Sequence, residues 1–305
     1  MRRLLLASLL LALGVRAGMA QEDTPLPTLL ARAADYVEHF ADRMSGVVMS
    51  EAYVQDVSLP IGRVGARPFA NRGYTGPLHR ELTADLLLVH PIGADAWMQF
   101  RDVVSVDGRA LKGRNDRLAR LFLQPSASTA AQARNIMAES ARYNIGDIER
   151  NINLPVLALV VLSRTAQSGF RFTLDSSPAL EPWWPKDPAF APPAGARVIR
   201  FVETQSHTLV ATPAGMNMPS HGRFWIDPRT AQVLLSEIGI DDQTLRADIQ
   251  VAYAPVEAIH GVPVPIRMHE RYENRLNGTV VEGTAAYANV RAFDVQVDES
   301  MAPIQ

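Results

Sequence analysis

Hydrophobic and polar residues alternate with a period of two in the C-terminal third of the chain. In residues 245–253 the even positions are polar or small, and the odd positions are apolar, including Leu245, Ile249, Val251 and Tyr253. This is the period of a β-strand with one buried face. Burying these four side chains contributes roughly 6–12 kcal/mol before the costs of folding. We therefore predict that a helix, another sheet or a lipid covers this face.

Turn signals divide the stretch from His221 to Asp294 into about five strands. Asp227–Pro228 fits the first two positions of a type I turn, which predicts a hairpin with a loop of about four residues. Asn277–Gly278 fits a type I′ turn, in which both central residues have positive φ. After it we expect two strands, residues 280–287 and residues 290–297. The pattern predicts an up-and-down antiparallel sheet.

The N-terminal part predicts one helix followed by strands. Between Pro25 and Met44 the apolar residues recur at spacings of three and four, which is typical of an amphipathic helix. Residues 47–57 alternate weakly as a strand, with Glu51 and Tyr53 on one face. Further strands are expected at residues 79–90, 96–106, 170–174, 197–204 and 208–212.

Residues 116–162 are predicted to be helices inserted into this sheet. A short helix is expected at residues 116–123, and a longer one is expected to begin at Ser126 or Ser128. Residues 154–162 are apolar on every side, with Asn153 as the predicted cap and Pro155 in the first turn. We expect this last segment, which includes Leu157, to be a fully buried helix that fills the space against the sheet.

Residues 178–195 form a proline-rich segment that contains the adjacent pair Trp183 and Trp184. Such a segment is either a linker or a lid. The two indoles can line the rim of a pocket or dip into a lipid interface. Alternatively, one packs on the core while the other stays partly exposed, as single apolar side chains often do.

Charge and cysteine content narrow the class of protein. The chain has 305 residues and a formal net charge of −2, which gives no electrostatic reason to expect nucleic acid as a partner. With 47% hydrophobic and 20% charged residues, its composition is that of a folded globular protein. Cysteine is absent, so a packed core has to supply the stability that disulfides supply in many exported proteins.

The first twenty residues resemble a secretory signal peptide. Arg2 and Arg3 precede an apolar stretch from Leu4 to Val15, and Gly18-Met19-Ala20 is a small-x-small cleavage site. The apolar stretch is much shorter than the ~20 residues that a membrane-spanning helix needs. We predict cleavage after Ala20, export to the periplasm and a single mature domain over residues 21–305.

Sequence motifs for catalysis are missing. The chain has no Gly-x-Ser-x-Gly elbow, phosphate-binding loop or dinucleotide fingerprint. Residues 269–273, His-Glu-Arg-Tyr-Glu, lack the second histidine of a zinc-protease motif and lie in a predicted strand. We predict no catalytic residue, no metal site and no cofactor.

The helix that leads into a strand, the long meander and the hairpin at residues 222–230 are similar to periplasmic lipoprotein-carrier proteins of the LolA/LolB type. The chain also resembles a group of uncharacterised exported bacterial proteins. The resemblance covers residues 29–106 and 221–297, whereas the inserted helices and the proline-rich segment are additions. It implies an α+β fold, in which a curled antiparallel half-barrel covered by helices holds acyl chains in an apolar cavity.

These observations lead to one prediction of function with two alternatives. The first is an exported protein that binds a lipid, an acyl chain or a lipoprotein without catalysis. The alternatives are a periplasmic sensor or scaffold that binds an envelope protein, and a hydrolase with an unrecognised site. Candidate residues for the cavity or its rim are Trp183, Trp184, Val251, Met268 and Leu157.

Overall fold

A computed structural model describes most of the chain between residues 24 and 292. The described residues are 24–44, 47–60, 74–89, 97–114, 117–118, 135–136, 138–148, 150, 152–176, 178–212, 214–259 and 261–292. The predicted signal peptide, the expected strand at residues 290–297 beyond residue 292, and most of the helix predicted at residues 116–123 lie outside them. Short helical stretches are present at residues 117–118, 135–136 and 138–141.

Within the described residues, eleven strands form one antiparallel sheet and two more form a small hairpin. Their bounds are β1 Val47–Ser58, β2 His79–Val89, β3 Met98–Val106, β4 Arg109–Ala110, β5 Phe170–Asp175, β6 Arg197–Glu203, β7 Val210–Ala211, β8 Asn217–Met218, β9 Ser220–Ile226, β10 Val233–Asp241, β11 Leu245–Val256, β12 Val262–Asn274 and β13 Val280–Ala292. The large sheet has the order β4-β3-β2-β1-β13-β12-β11-β10-β9-β6-β5, and β7 pairs with β8. The predicted α+β class with a curled antiparallel sheet is confirmed.

The inner face of the sheet is covered by the N-terminal helix, α1, which spans Leu26–Met44. Its apolar residues point to one side and are buried in the main core: Leu29, Ala33, Val37, Phe40 and Met44. The predicted spacing of three and four is therefore confirmed, because one side of the helix packs against the sheet.

The buried apolar segment also lies on the inner face, but it is shorter and tighter than predicted. It forms a 3-10 helix at Leu157–Leu162, and Asn153 does not cap it, because the residue at the cap position is Val156 without a side-chain hydrogen bond. Val160 and Val161 within it and Val156 just before it are β-branched, and Pro155 precedes Val156, which together disfavour a longer α-helix. The Tyr253 hydroxyl donates to the carbonyl oxygen of Pro155 at 2.9 Å and fastens the segment to β11.

Two details of the meander differ from the prediction. Gly278 alone of the Asn277–Gly278 pair has positive φ, 75°, and its N–H donates to the carbonyl of Asn274 at 2.7 Å. The turn is therefore a longer loop, in which the Asn274 side chain accepts from the N–H of Leu276. The predicted break before residue 290 is a bulge inside β13, where Asn289 has φ 49° and the register with β1 shifts.

The outer face of the sheet is covered by the proline-rich segment. Trp184 and Phe190 pack there against Trp225, Leu235 and Ala252. Because successive residues of a strand point to opposite faces, Ala252 faces this cover while its neighbour Val251 faces the main core. The prediction that β11 has one buried face was wrong: its even positions Asp248, Gln250 and Ala252 are buried as well.

Candidate functional site: a buried ionic network beside an open cleft

Polar residues interrupt the apolar inner face where β1, β12 and β13 meet. Glu51, Tyr53 and Gln55 occupy alternate positions of β1, on the face that also carries Met49, and all are buried. From β12 come Glu270 and Tyr272, again at alternate positions. The prediction that Glu51 and Tyr53 share a face is confirmed, and their burial requires partners inside the protein.

The partner of Glu51 is Arg101 on β3. The guanidinium donates from Nε to one carboxylate oxygen and from Nη2 to the other, the second bond being 2.9 Å long. Its carbon lies 4.9 Å from the centre of the Tyr53 ring. Burial alone would lower the pKa of Arg101, but the Glu51 carboxylate outweighs that effect, so the net shift is upward and the guanidinium stays charged.

The partner of Glu270 is Arg150, which the irregular segment at residues 145–154 inserts beneath the sheet. Arg150 donates from Nη1 to the Glu270 carboxylate at 3.1 Å and to the Tyr53 hydroxyl at 2.9 Å, and from Nη2 to the side-chain oxygen of Gln55. Tyr272 donates to the other Glu270 oxygen at 3.0 Å, and Tyr53 also donates to Glu270. Every oxygen of this buried carboxylate is therefore held by donors.

A glycine makes room for this network. Gly283 on β13 lies directly opposite Glu270. A Cβ at residue 283 would be 2.5 Å from the Glu270 oxygen Oε1 and 2.8 Å from the Tyr53 hydroxyl. Because real Cβ atoms do not approach heavy atoms so closely, only glycine fits there without moving the carboxylate.

The network is neutral as a whole. Glu51 compensates Arg101, and Glu270 compensates Arg150. Burial raises the pKa of Tyr53, and the neighbouring Glu270 raises it further, so this phenol keeps its proton.

Beside the network lies a cleft with a volume of about 630 Å³. Its wall mixes apolar side chains (Trp97, Met98, Leu154) with polar ones (Gln99, Arg101, Arg150, Asn153). Three buried atoms of this wall have no hydrogen-bond partner among the described residues: Gln99 Oε1, Arg150 Nε and Asn153 Nδ2. Arg150 and Asn153 are only 5% and 7% exposed. An unpaired buried polar atom costs about 1–3 kcal/mol, so these atoms mark a place for a ligand or water.

A smaller and more apolar pocket adjoins this cleft. It has a volume of about 240 Å³, and Asp147 and Ile148 belong to the walls of both. The rest of its wall is mostly hydrophobic and includes Ile152, Val210, Met218, Ile240, Leu245 and Leu276. A polar cleft and an apolar pocket thus lie on two sides of Ile148.

A third cleft, of about 490 Å³, lies on the outer face and differs in its hydrogen bonding. Its charged side chains have partners: Arg223 bonds Glu237 at 2.5 Å, and Arg246 bonds Asp248 at 2.9 Å. The guanidinium of Arg246 also lies 4.2 Å from the ring centre of Trp183. These contacts are explained by fastening the proline-rich segment to the sheet.

The five residues predicted to line one cavity are not brought together. Val251 and Met268 face each other across β11 and β12 and are buried in the main core, and Leu157 packs against the same core cluster. Trp184 lies on the opposite face, and its indole donates to the carbonyl of Phe190 at 2.9 Å. The ring of Trp183 stacks on the Arg246 guanidinium on that face. None of the five lines the cleft beside the ionic network.

Sequence reasoning missed Gln99, Arg101, Arg150 and Asn153. One signal was available: Glu51 lies at the same parity as Val47 and Met49, and Glu270 at the same parity as Met268. A carboxylate on a core-facing position predicts a buried cation nearby. In the stretch at residues 269–273, Glu270 and Tyr272 face inward, whereas His269 faces the outer cover and bonds Gln250 at 3.0 Å.

The described residues contain no cluster of three or more His, Cys, Asp or Glu side chains that could hold a metal ion. No helix in the described part of the chain has the length and apolarity to cross a bilayer.

Comparison of the chain with protein-family models, with curated proteins and with solved structures finds no match. The similarity to lipoprotein carriers therefore stays a prediction from the sequence.

Proposed function

We propose that this protein binds an amphipathic ligand, such as a lipid or the acylated end of a lipoprotein, without chemical conversion. One observation carries the proposal: the cleft beside the ionic network combines a hydrophobic wall with two amide atoms that lack partners among the described residues, Gln99 Oε1 and Asn153 Nδ2. Its volume falls within the ~300–1,000 Å³ of small-molecule sites. A ligand with a polar head and a hydrocarbon part satisfies both kinds of wall.

The apolar pocket beyond Ile148 supports this proposal. A hydrocarbon chain bound to the cleft wall at Trp97 and Leu154 can continue over Ile148 into the pocket lined by Met218, Leu245 and further apolar side chains. Removing such a chain from water contributes roughly 0.8 kcal/mol for each buried methylene. The two depressions together thus suit one amphiphile.

The state of the titratable groups favours binding over catalysis. Both buried glutamates accept hydrogen bonds from arginines, and the raised pKa of Tyr53 keeps its hydroxyl protonated. A general base needs a pKa near the working pH and reach to a proton. The network instead resembles a rigid support that fixes Arg101 and Arg150 in the cleft wall.

The predicted export signal and the antiparallel sheet agree with a periplasmic carrier of this kind. A half-barrel of the lipoprotein-carrier type is part of the proposal. The site differs from the cavity expected by resemblance, because α1 and residues 157–162 fill the inner face around Val251 and Met268. The proposed ligand therefore binds at the side of the sheet, between β3 and the described residues of the cleft wall from Ser140 to Leu154.

Two measurements test the proposal. The exported protein, purified without detergent, is extracted with organic solvent and analysed by mass spectrometry for bound lipid. A fluorescent acyl probe is then titrated into the protein, and we expect saturable binding that Ile148→Asp weakens at least tenfold, because a charge enters the path of the chain.

Leu174→Asp serves as the matched control. Leu174 is an exposed leucine on β5, at the far edge of the sheet, so binding should not change. If Trp183→Ala weakens binding and Ile148→Asp does not, the ligand lies on the outer face. If the intact protein binds no probe and carries no lipid, the proposal is wrong.

A further inference from the structure

We propose that the head group recognised in the cleft is uncharged and carries a carbonyl oxygen next to a hydroxyl, as in a glyceride ester with a free hydroxyl, rather than a carboxylate or phosphate. This inference rests on the proposed amphiphile binding and specifies its ligand. Two arginines in a cleft wall ordinarily indicate an anion site. In this protein the surrounding charges argue against that.

The positive charges of the cleft are already compensated. Arg101 is bound by both oxygens of Glu51, and Arg150 contacts Glu270 at 3.1 Å. Asp147, the remaining charged residue of the wall, is exposed and negative. The two arginines and these three carboxylates sum to −1, so an entering anion finds no unused counter-charge. It would have to leave water and displace a buried glutamate, which is unfavourable.

The unpaired atoms of the wall fit a neutral polar group. Asn153 Nδ2 is a donor without an acceptor, and Gln99 Oε1 is an acceptor without a donor among the described residues. Arg150 Nε is also unpaired, but the Arg150 side chain is fully enclosed, so a ligand in the cleft does not reach it. A carbonyl oxygen accepts from the Asn153 amide, and a hydroxyl supplies the hydrogen for Gln99. Terminal amide torsions are broad, so a rotation of the Asn153 and Gln99 amides turns these atoms toward the ligand.

A carboxylate or phosphate can satisfy the unpaired donor of the wall but not the unpaired acceptor. It offers an acceptor to Asn153 but, when ionised, has no hydrogen for Gln99. It also adds a negative charge beside Glu51 and Glu270. A hydrocarbon without a head group leaves both amide atoms unpaired. The arrangement therefore discriminates by hydrogen bonding and charge together.

The test compares three ligands with the same acyl length on the full-length exported protein. They are a monoacylglycerol, the corresponding fatty acid and the corresponding glycerol ether, which lacks the carbonyl. Dissociation constants come from displacement of the fluorescent acyl probe at pH 7.5. We expect the monoacylglycerol to bind at least tenfold tighter than the fatty acid and severalfold tighter than the ether.

Two variants locate the recognition. Asn153→Asp replaces a hydrogen-bond donor by an acceptor and should weaken binding of the monoacylglycerol at least tenfold. The control Asn289→Asp adds the same charge at an exposed position away from the cleft and should leave the dissociation constants unchanged. Gln99→Leu, at a partly exposed position, should weaken binding of the monoacylglycerol and leave the ratio of the dissociation constants of the fatty acid and the probe unchanged. This second variant keeps the test valid if Asn153→Asp does not fold.

The outcomes separate this inference from the proposed function. If the fatty acid binds as tightly as the monoacylglycerol, or tighter, the inference is overturned while amphiphile binding stands. If Asn153→Asp and Gln99→Leu both leave the ligand ratios unchanged, the head group does not contact these residues and the inference is again overturned. If none of the three ligands displaces a probe because no probe binds, it is the proposed function that fails.

Discussion

The two faces of the sheet both bury charged residues, but in different surroundings. On the inner face Arg150 pairs with Glu270 of β12 beside Tyr53, which belongs to the main core that α1 and the 3-10 helix share. On the outer face Arg223 and Glu237 lie beneath the proline-rich segment, with the guanidinium 5.6 Å from the ring centre of Trp184. Both pairs are almost completely enclosed.

The difference lies in what adjoins each pair. The charged groups that line the outer cleft have partners there, including the carbonyl of Ala179, which accepts from Arg223 Nη1 at 2.6 Å. The inner cleft has unpaired atoms in its wall at Gln99, Arg150 and Asn153. Buried charge alone therefore does not mark a ligand site. An open cleft with unsatisfied hydrogen-bonding groups in its wall is the combination on which the proposal of a ligand site rests.

Ile249→Asp compared with Gln250→Asp is the strongest test of the two faces. Ile249 is 1% exposed and lies opposite Glu270, so an aspartate there adds a negative charge beside a buried carboxylate. We expect a loss of more than about 5 kcal/mol, enough to prevent folding of many domains. Gln250 lies opposite His269, which can pair with an aspartate, and we expect about 1–3 kcal/mol.

Urea denaturation of both variants measures these losses. From the alternation of the sequence alone, Gln250 would be expected on the protein surface. It is fully buried, so its substitution should cost more stability than a surface substitution does. Equal losses for the two variants would contradict the different surroundings described for Ile249, beside the buried Glu270 carboxylate, and Gln250, beside His269.

Glu270→Gln tests the inner network. It leaves the Arg150 guanidinium without its counter-charge in a site where both side chains are enclosed. Breaking a buried ion pair on one side costs about 3–5 kcal/mol. The double variant Glu270→Gln with Arg150→Met removes both charges and should recover at least half of that loss. A loss below about 1 kcal/mol for the single variant would show that the pair is not held as described.

Gly283→Ala and Gly239→Ala compare close approaches on the two faces. At residue 283 a new methyl group would meet the Glu270 carboxylate at 2.5 Å in the enclosed network, and we expect a loss of about 1–3 kcal/mol. At residue 239 it would meet His221 Nε2 at 3.1 Å and Asp248 Oδ1 at 3.2 Å, where the exposed His221 ring can move. The loss of stability for Gly239→Ala should therefore be smaller than that for Gly283→Ala. Thermal unfolding of both variants measures which of them is less stable.

The pH dependence of stability tests the outer cover and should be the smallest effect. Burial lowers the pKa of His269 below its usual 6.5. As pH falls through 6.5, the unfolded chain takes up a proton that the folded protein does not, so His269 makes folding less favourable at acid pH. His269→Gln should therefore reduce the loss of stability between pH 7.5 and pH 5.5.

His79→Gln provides the opposite control. Hydrogen bonds to Asp56 and Glu81 raise the pKa of His79, so its contribution is fully present below 6.5 and is lost as pH rises through the folded-state pKa. This variant should lose more stability at pH 5.5 than at pH 7.5. Urea midpoints at the two pH values measure both effects, and changes of the same sign would contradict these assignments.

The sequence by itself determined the elements that depend on near neighbours. The spacing of Leu29, Val37 and Phe40 predicted α1, and alternation predicted the strands from β9 to β12, because helix and strand periods are local properties of the backbone. It also placed Glu51 and Tyr53 on one face. The irregular segments were predicted less well, because their sequences show no helical or strand periodicity. They are the 3-10 helix, the loop at Asn274–Thr279 and the proline-rich cover.

Only the tertiary structure decided which residues meet in the cleft. Arg150 and Glu270 are 120 positions apart, and Arg101 and Glu51 are 50 apart. Their pairing depends on β1 lying between β2 and β13 in the sheet, which no local pattern specifies. The same strand order places Gly283 opposite Glu270. Gln99 and Asn153, whose side chains each have an unpaired atom, lie beside the network. Local periodicity determines which face of the sheet a side chain occupies, whereas the long-range order of the strands determines its neighbours. The cleft wall combines residues that are distant in the sequence, so local patterns alone could not predict it.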